Sequence, residues 1–460
     1  MIKNKINISH SQSLLSQGRI GNKQTRKYII RFIFFFLLFV IYISSYNVTS
    51  YDSRWTVFTA YSIIIEGNTD LNEFNDVLKK NNFYEVDTVN GKYYSYFPIG
   101  PVLVAVPFVY TINKTMPVLF DWFPFLKNIV IERTREPIDN FDILNLYRGV
   151  EFIIACFLTT ITGFFFFLFS GIYLDEFKSF LLTLLFSLGT TVFSVASRGL
   201  WQHTPSILFL AISLYLIVKS DSKPKYIIYA ALPLFLSFWM RPTNIIPVII
   251  FSVYILFYKR KYFLKYMSAG IFICIPFFIF DYSVYNQLFQ PYFTGRIQFG
   301  IYSVEAFLAN LISPARGIFF FSPFLIFMIY GIIKALKKQN PGLDIFILAI
   351  IIFHIMIISG FPQWWGGHSF GPRLMTDIIP FMMYFLVPYF ADNFNFKKNN
   401  RLISLNLINS IFLFLCLISI YIHFVGANRR ETWVDWNKYP DNIDINPSRV
   451  WDLKDIQFFR

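Results

Sequence analysis

Long apolar blocks separated by short polar or basic stretches make up most of the chain. Residues 152–173 and 402–425, for example, are almost entirely apolar. A helix of that length crosses the hydrocarbon core of a bilayer, which is about 30 Å thick. This pattern predicts an all-α polytopic membrane protein with most of its surface facing lipid.

Basic residues between the apolar blocks indicate which helix ends face the cytoplasm. The first 31 residues contain seven Lys and Arg and no acid, and further basic loops lie at 219–225, 258–266, 334–338 and 397–401. Cytoplasmic loops of membrane proteins are enriched in Lys and Arg. With these loops placed inside, we expect about eleven transmembrane helices, the first over 29–46, with the N-terminus inside and the C-terminus outside.

The same pattern divides the chain into three parts. Residues 1–28 are expected to form a basic cytoplasmic N-terminus, 29–425 the transmembrane domain, and 426–460 an external tail that folds back onto the outer surface. Residues 47–147 form a large first external loop with juxtamembrane helices. Its apolar segment 97–112 is expected to be interfacial or re-entrant, because its prolines weaken a full-length helix and another crossing would break the parity of the basic loops.

The overall composition agrees with a membrane protein and excludes other classes. Hydrophobic residues make up 55% and charged residues 15% of the 460 positions, whereas soluble domains carry about a quarter charged residues. The cytoplasmic loops explain the net charge of +14, and no compact basic domain is present to bind nucleic acid. The three cysteines lie in apolar segments, and neither CxxC nor HExxH occurs, so the sequence predicts neither a disulfide nor a metal site.

Asp52 is the first candidate for a catalytic residue. It follows the first predicted helix by a few residues, in the string Tyr51-Asp52-Ser53-Arg54-Trp55, which places a carboxylate at the water boundary. A carboxylate there can act as a general base. It can also cap the amphipathic helix predicted over 53–66, since Asp is a favoured capping residue. The two roles are compatible.

Four arginines lie at predicted outer helix ends beside Gly, Pro or aromatic residues: Arg198, Arg241, Arg316 and Arg373. Guanidinium groups bind phosphate bidentately. A single arginine at such a place is more simply an interfacial anchor, but four of them run against the positive-inside bias. We therefore expect them to bind the phosphate of a donor substrate.

Aromatic and histidine side chains near these arginines are the candidates for further substrate contacts: Trp365, His368, His203 and Tyr96. A Trp or Tyr ring can stack on a sugar, although the same residues form ordinary interfacial belts. Together, one carboxylate, several external arginines and aromatic residues would suit a lipid-phosphate substrate that enters from the bilayer.

The chain resembles the GT-C superfamily of integral-membrane glycosyltransferases, in particular the branch related to protein O-mannosyltransferases and aminoarabinose transferases. Four segments carry the resemblance: residues 51–55, 96–101 (Tyr-Phe-Pro-Ile-Gly-Pro), 313–317 (Ser-Pro-Ala-Arg-Gly) and 365–373 (Trp-Gly-Gly-His-Ser-Phe-Gly-Pro-Arg). It extends over most of the chain, from about residue 28 to residue 425. The sequence has Asp52-Ser53 where the mannosyltransferases have an Asp-Glu pair.

The resemblance implies an activity as well as a fold. Enzymes of this superfamily transfer a sugar from a polyprenyl-phosphate carrier to an acceptor on the non-cytoplasmic face of the membrane. By this resemblance, Asp52 is the base that deprotonates the acceptor, and the external arginines stabilise the departing phosphate. The protein is then a multi-pass plasma-membrane enzyme of the cell envelope, with membrane lipids, a lipid-linked sugar and a glycan, lipid or protein acceptor as partners. The lipid-linked sugar is its substrate, and no cofactor is implied.

A transporter or flippase for a lipid-linked or anionic substrate would also explain helices and arginines. Such proteins often contain inverted repeats with helices interrupted near the midplane. The sequence shows no such symmetry, and its unusual polar residues cluster on one predicted face. We therefore favour the glycosyltransferase over the transporter.

Overall fold

The order of helices and strands is taken from a computed structural model, which describes residues 3–45, 47–49, 51–80, 83–125, 146–294, 303–394 and 407–460. Within these ranges the fold is all-α and of the membrane type. Its strands there, β1 (Val86–Val89) and β2 (Lys92–Ser95), pair in an antiparallel hairpin in the register Val86 to Ser95.

The helices follow one another through the described chain with short connections. In the first half they are α1 (Lys3–Ser44), α2 (Arg54–Ile65), α3 (Asn75–Lys80), α4 (Ile99–Trp122), α5 (Tyr147–Ser170), α6 (Glu176–Leu188), α7 (Thr191–Ser194), α8 (His203–Lys219), α9 (Tyr226–Met240) and α10 (Ile245–Tyr258). In the second half they are α11 (Arg260–Tyr285), α12 (Pro291–Thr294), α13 (Val304–Ile312), α14 (Ile318–Phe321), α15 (Met328–Leu336), α16 (Leu343–Ser359), α17 (Ile379–Tyr384), α18 (Val387–Asn393), α19 (Leu407–Asn428) and α20 (Glu431–Val434). Short 3-10 turns lie at Asn72–Phe74, Ala196–Arg198, Pro242–Asn244, Pro323–Phe327, Arg373–Ile378, Pro447–Trp451 and Gln457–Phe459.

Several of these helices are long and apolar enough to cross a membrane. Six such segments occur in the described residues: Gln24–Ser44, Ile99–Trp122, Tyr147–Ser170, Arg260–Tyr285, Arg373–Asn393 and Leu407–Asn428. The bent pair Glu176–Leu188 and Thr191–Arg198 is a seventh candidate, and five shorter apolar helices accompany them. The count of eleven spans and their sidedness stay predictions.

Two helices differ in length from what the sequence predicts. The first helix was expected over 29–46, but α1 begins at Lys3, so the basic N-terminal stretch belongs to the same helix. The segment 97–112 was expected to be too short and too proline-rich for a full helix. Instead, α4 runs from Ile99 to Trp122 with two prolines inside it, which gives it a length of about 36 Å. Membrane helices tolerate interior prolines because neighbouring groups satisfy the freed carbonyls.

One end of the molecule collects the basic loops. Lys259 on the 258–266 loop pairs with Asp221 on the 219–225 loop, and Lys334 pairs with Asp392. Arg31 of α1 pairs there with Glu176 at the start of α6, with 2.8 Å between Nε and Oε1. Three of the four basic loops predicted to be cytoplasmic therefore lie at the end that holds this part of α1, and the fourth, 397–401, falls outside the described residues.

The other end is covered by the C-terminal segment 429–460, called here the cap. Its residues Trp436, Ile443 and Val450 pack in one buried cluster with Trp364 and Trp365. A neighbouring cluster joins Phe458 to Phe321 and Phe370. The tail folds back onto the loops of the helical domain and is built into their packing, and its external position stays a prediction.

Candidate active site

A cleft lies where the first loop meets the ends of several helices, and its space of about 500 Å³ is partly open to solvent. Residues from six separate parts of the chain line it, within 52–56, 95–102, 200–203, 241, 292 and 373–374. Gly100 in the first turn of α4 allows this closure, because a methyl group there would overlap the backbone carbonyl of Trp239 in α9. The close approach of α4 to α9 places the 95–102 segment opposite Arg241.

Asp52 and Arg373 face one another across this cleft. The Nη1 atom of Arg373 lies 3.0 Å from Oδ2 of Asp52, and the hydroxyl of Tyr84 donates to Oδ1 at 2.8 Å. The guanidinium of Arg373 also lies over the Trp201 ring, 4.8 Å from its centroid. Two residues that are 321 positions apart in the sequence are thus brought together at the cleft.

The capping interpretation of Asp52 is less well supported. Helix α2 begins at Arg54, and the N-cap position is held by Ser53, which makes no side-chain capping bond. The Ser53 hydroxyl instead donates to the buried Glu151 of α5. Glu151 also accepts the backbone N–H of Leu200 at 3.0 Å, so it ties the Asp52 turn to the loop that carries Trp201.

Tyr84 remains a hydrogen-bond donor to Asp52 at any ordinary pH. Desolvation of the hydroxyl raises the pKa of Tyr84 well above its usual value although the residue as a whole is 52% exposed, and the charge of Asp52 raises this pKa further. A phenol that keeps its proton stabilises the carboxylate and orients it. Tyr84 was missed by the sequence analysis, since tyrosines are common throughout this loop.

A second ionic cluster forms the wall of the cleft beside Arg373. Arg241 follows the last residue of α9 and forms an ion pair through Nη1 with Oδ2 of Asp377. His203, the first residue of α8, places Nδ1 at 3.2 Å from the same oxygen and 3.0 Å from Nη1 of Arg241. The other oxygen, Oδ1, accepts the Ser206 hydroxyl at 2.5 Å.

Asp377 was not among the residues that the sequence predicted. It lies inside the apolar stretch 374–390, which reads as an ordinary membrane helix. A usable signal was nevertheless present, because a carboxylate within such a stretch is costly and marks a functional site by default.

Tyr96 stands beside the cleft. Its ring packs edge-on against Tyr292 at 5.5 Å, and its neighbours Ser95 and Phe97 line the cleft. The hydroxyl of Tyr292 donates to the Gln202 side chain at 3.1 Å. These contacts form an aromatic wall on the first-loop side.

Arg316 does not lie in the cleft. Its guanidinium is buried under the cap and donates five hydrogen bonds, all to neutral acceptors. They are the carbonyls of Trp365 (2.6 Å), Ala315 (2.9 Å) and Gly367 (3.2 Å) and the side chains of Gln457 (3.0 Å) and Asn437 (2.8 Å). Five donors are all that an arginine has, so none is left for a phosphate. Burial lowers the pKa of Arg316 to about 9.

Arg198 is also buried and occupied. It donates to the backbone carbonyls of Tyr42 (2.6 Å) and Ser45 and to the Ser197 hydroxyl. Phe152 flanks its guanidinium with a ring centroid 5.0 Å away. Arg198 therefore fastens the end of α1 to the turn after α7, and it does not reach the cleft.

Trp365 and His368 contact the cap. The indole N–H of Trp365 donates to Asp444 at 2.8 Å, and Nε2 of His368 lies 2.9 Å from the Asn442 amide oxygen. Gly366 and Gly367 between them have positive φ angles of 77° and 61°, which glycine adopts at little cost. This turn carries the chain from the cap contacts toward Arg373.

Across the part of the chain that the structure describes, no group of three His, Cys, Asp or Glu side chains could hold a metal ion. The cleft offers a carboxylate, two guanidinium groups and aromatic walls. Such a set can accept a proton from a hydroxyl and bind an anionic group next to it.

Comparison with known proteins gives no family assignment. No family model matches the chain, and no curated protein matches it. Among solved structures, the apo crystal structure of the Archaeoglobus fulgidus oligosaccharyltransferase is similar, with a TM-score of 0.48 and 9% sequence identity. The match covers 92% of this chain and 60% of that chain. A similarity this low supports no assignment of function.

Proposed function

We propose that the protein is a membrane glycosyltransferase that moves a sugar from a polyprenyl-phosphate carrier to a hydroxyl of a cell-envelope acceptor. The observation that supports this most directly is the meeting of Asp52 and Arg373 in one cleft, 3.0 Å apart, with Arg241 on the same wall. A base for the acceptor and cations for the leaving phosphate are the two requirements of the reaction.

Asp52 acts as the general base in this proposal. It takes the proton of the acceptor hydroxyl while the acceptor oxygen forms a bond to the anomeric carbon. The bond between that carbon and the carrier phosphate oxygen breaks, and the electron pair leaves with the phosphate. A base positioned in this way contributes about 10²–10⁴-fold to the rate.

Arg373 and Arg241 stabilise the charge that develops on the departing phosphate. The Nε atom of Arg373 is buried without a hydrogen-bond partner among the described residues, so protein acceptors do not hold the guanidinium at this atom. The Nη1 atom now engages Asp52. A phosphate that draws Arg373 toward itself would loosen this ion pair and free the Asp52 carboxylate to accept the proton of the acceptor hydroxyl when the donor is in place.

The two buried arginines have supporting roles. Arg316 holds the 365–373 turn under the cap, and Arg198 holds the end of α1, from which the chain leads to Asp52. In this proposal both act on the position of the cleft residues and not on the substrate. Trp365 and His368 then serve the same cap contacts, while His203 and Tyr96 remain candidates for substrate contact.

The cleft is placed on the non-cytoplasmic face of the plasma membrane in this proposal. The basic loops gather at the end that holds Arg31 and Glu176, whereas the cap covers the other end. A cysteine introduced at the exposed Asp441 of the cap should react with an impermeant reagent added to intact cells, and one at Lys261 should not. Labelling at Lys261 alone would reverse the orientation and contradict the proposed face.

The function itself is tested in a deletion strain. Mass spectrometry of cell-envelope glycans and lipid-linked sugars should show loss of one glycan modification and an increase in its unused donor. Restoration by the wild-type protein but not by Asp52→Asn would support transfer. Accumulation of a precursor on the cytoplasmic leaflet, with transfer intact in lysed cells, would identify a flippase and overturn the proposal.

A further inference from the structure

The cluster around Asp377 is the most heavily buried charged group at the cleft. The side chains of Asp377, His203 and Arg241 are 1%, 5% and 6% exposed. Placing an ion pair in such surroundings is costly, and apolar residues of similar size are often at least as stable there. A stabilising role alone therefore explains the cluster poorly.

The cluster joins three parts of the chain at the point where α9 ends. Asp377 lies on the 3-10 turn after Arg373, and Ser206 lies one helical turn after His203 in α8. Asn244, just beyond Pro242, donates to the Ser206 hydroxyl at 2.7 Å and to the Ser237 carbonyl at 2.8 Å. The carboxylate is thus fixed from behind by α8 and by the break between α9 and α10.

The remaining contacts of the Asp377 carboxylate orient two residues that line the cleft. Oδ2 of Asp377 engages Nη1 of Arg241 and Nδ1 of His203. With these atoms held, the rest of the guanidinium and the far edge of the imidazole are left on the side of the cleft that both residues line. One carboxylate therefore fixes the cation Arg241 and the neighbouring His203 ring on the same wall of the cleft.

We propose that Asp377 is a positioning residue that holds Arg241, with the His203 ring beside it, for the anionic phosphate of the donor lipid. The inference rests on the proposed function and adds to it a specific place for the carrier phosphate, on the wall opposite the first loop. Asp377 does not touch the substrate. It acts on donor binding through Arg241.

The test is the KM for a polyprenyl-phosphate sugar measured on purified Asp377→Asn. The amide keeps the size of the side chain but loses the charge that directs Arg241. We expect the donor KM to rise about 10- to 100-fold, as a misplacement near 1 Å can produce, with the acceptor KM unchanged. A merely structural role would reduce the amount of folded enzyme, which lowers the maximal rate and leaves the KM of the remaining enzyme unaltered.

Asp344→Asn is the matched control. Asp344 is also a buried carboxylate with a cationic partner, Lys338, at 2.6 Å. It lines a different cavity, which shares no residue with the cleft. This variant should lose a comparable amount of thermal stability while its donor KM stays at the wild-type value.

A double variant tests whether Asp377 acts through Arg241. Adding Asp377→Asn to Arg241→Gln should change the donor KM by less than about threefold, since the group to be positioned is already gone. An unchanged donor KM in Asp377→Asn, or a change in the acceptor KM instead, would overturn the positioning role while leaving the transferase intact.

Binding of polyprenyl phosphate without its sugar separates this inference from the proposed function. Tryptophan fluorescence can report such binding, because Trp201 lines the cleft. Weaker binding to Asp377→Asn supports the phosphate site even in the absence of transfer. Equal binding to both proteins overturns it, whereas failure of the wild-type protein to transfer any sugar counts against the function.

Discussion

The cleft and the cap are both organised by arginines, yet they use them in opposite ways. Beneath the cap, Arg316 gives all five donors to neutral oxygens of its own chain. In the cleft, Arg373 shares one nitrogen with Asp52 and keeps a buried Nε without a partner among the described residues. The two side chains emerge from similar Gly- and Pro-containing turns.

The difference shows how a buried arginine can be assigned a role from its acceptors. A guanidinium surrounded by backbone carbonyls is a cross-link, because its geometry is already complete. A guanidinium that meets a carboxylate and an unfilled cavity can exchange its partner for an anionic ligand. Sequence neighbourhood alone does not separate the two cases, since both types lie beside Gly, Pro and aromatic residues.

The largest effect is expected at the centre of the cleft. Asp52→Asn should reduce sugar transfer about 10²–10⁴-fold, while its oxygen can still accept from Tyr84 and the fold stays intact. The measurement is the transfer rate of the purified variant together with its thermal unfolding. Asp441→Asn on the exposed part of the cap is the control and should be fully active. A stable and fully active Asp52→Asn would remove the base from the mechanism.

Arg373→Lys should have the next largest effect. Lysine keeps the charge but loses the planar fork, and loss of a donor to a developing oxyanion costs about 100-fold. The thermal stability should change little, since an ion pair with partly exposed Asp52 contributes about 1 kcal/mol or less. If the stability fell and the transfer rate of the folded fraction did not, Arg373 would have a structural role like that of Arg316.

Arg316→Lys should show the reverse pattern. Several buried carbonyl and amide acceptors would lose their donors, and each unsatisfied group costs about 1–3 kcal/mol. We expect a large drop in the unfolding temperature with an unchanged donor KM in the protein that remains folded. A raised donor KM at unchanged stability would indicate that Arg316 binds the phosphate. The difference drawn between Arg316 beneath the cap and Arg373 in the cleft would then be wrong.

The smallest effect concerns an ion pair inside the cap. Asp455 accepts from Arg449 at 2.5 Å and from Arg460 at 2.9 Å. Burial raises the pKa of Asp455, but these hydrogen bonds more than offset it and hold the pKa below its usual value. A carboxyl group with a lowered folded-state pKa stabilises the fold above its unfolded pKa of about 3.9, and this contribution is lost as the pH falls further.

Asp455→Asn should therefore cost about 1–3 kcal/mol at neutral pH, because the largely buried Arg449 loses a charged partner. The difference in unfolding temperature from the wild-type protein should shrink as the pH is lowered through 4 toward the folded-state pKa. Thermal unfolding at several pH values measures this difference. A difference that grew on acidification would contradict the assigned sign.

Much of the cleft could be anticipated from the sequence because its charges stand out against apolar surroundings. Asp52, Arg241 and Arg373 were each visible as costly groups at helix ends, and the structure brings all three to one cleft. Asp377 was hidden inside an apolar run, although its charge alone was a signal. Tyr84 offered no such contrast.

The rest depended on contacts that no local pattern encodes. The acceptors of Arg316 include Gln457, which lies 141 residues further along the chain, so its occupation could not be inferred from the 313–317 string. The length of α4 was underestimated because prolines weigh against a helix in local reasoning, whereas a bilayer and packed neighbours tolerate them. The all-α membrane-type character followed directly from the apolar blocks.

The side chain of Gln457 has a consequence for biosynthesis. It accepts the Gly371 N–H at 2.9 Å, donates to the Ser369 carbonyl at 2.8 Å, and reaches Arg316. Gln457 is made 86 residues after Gly371, so the turn leading to Arg373 cannot acquire its final bonds while the ribosome is still completing α19. Insertion of the helices and completion of the cleft are therefore separate events in time. A nascent chain whose helices are already inserted in the bilayer would therefore bind a charged lipid in the completed cleft only after the cap has folded.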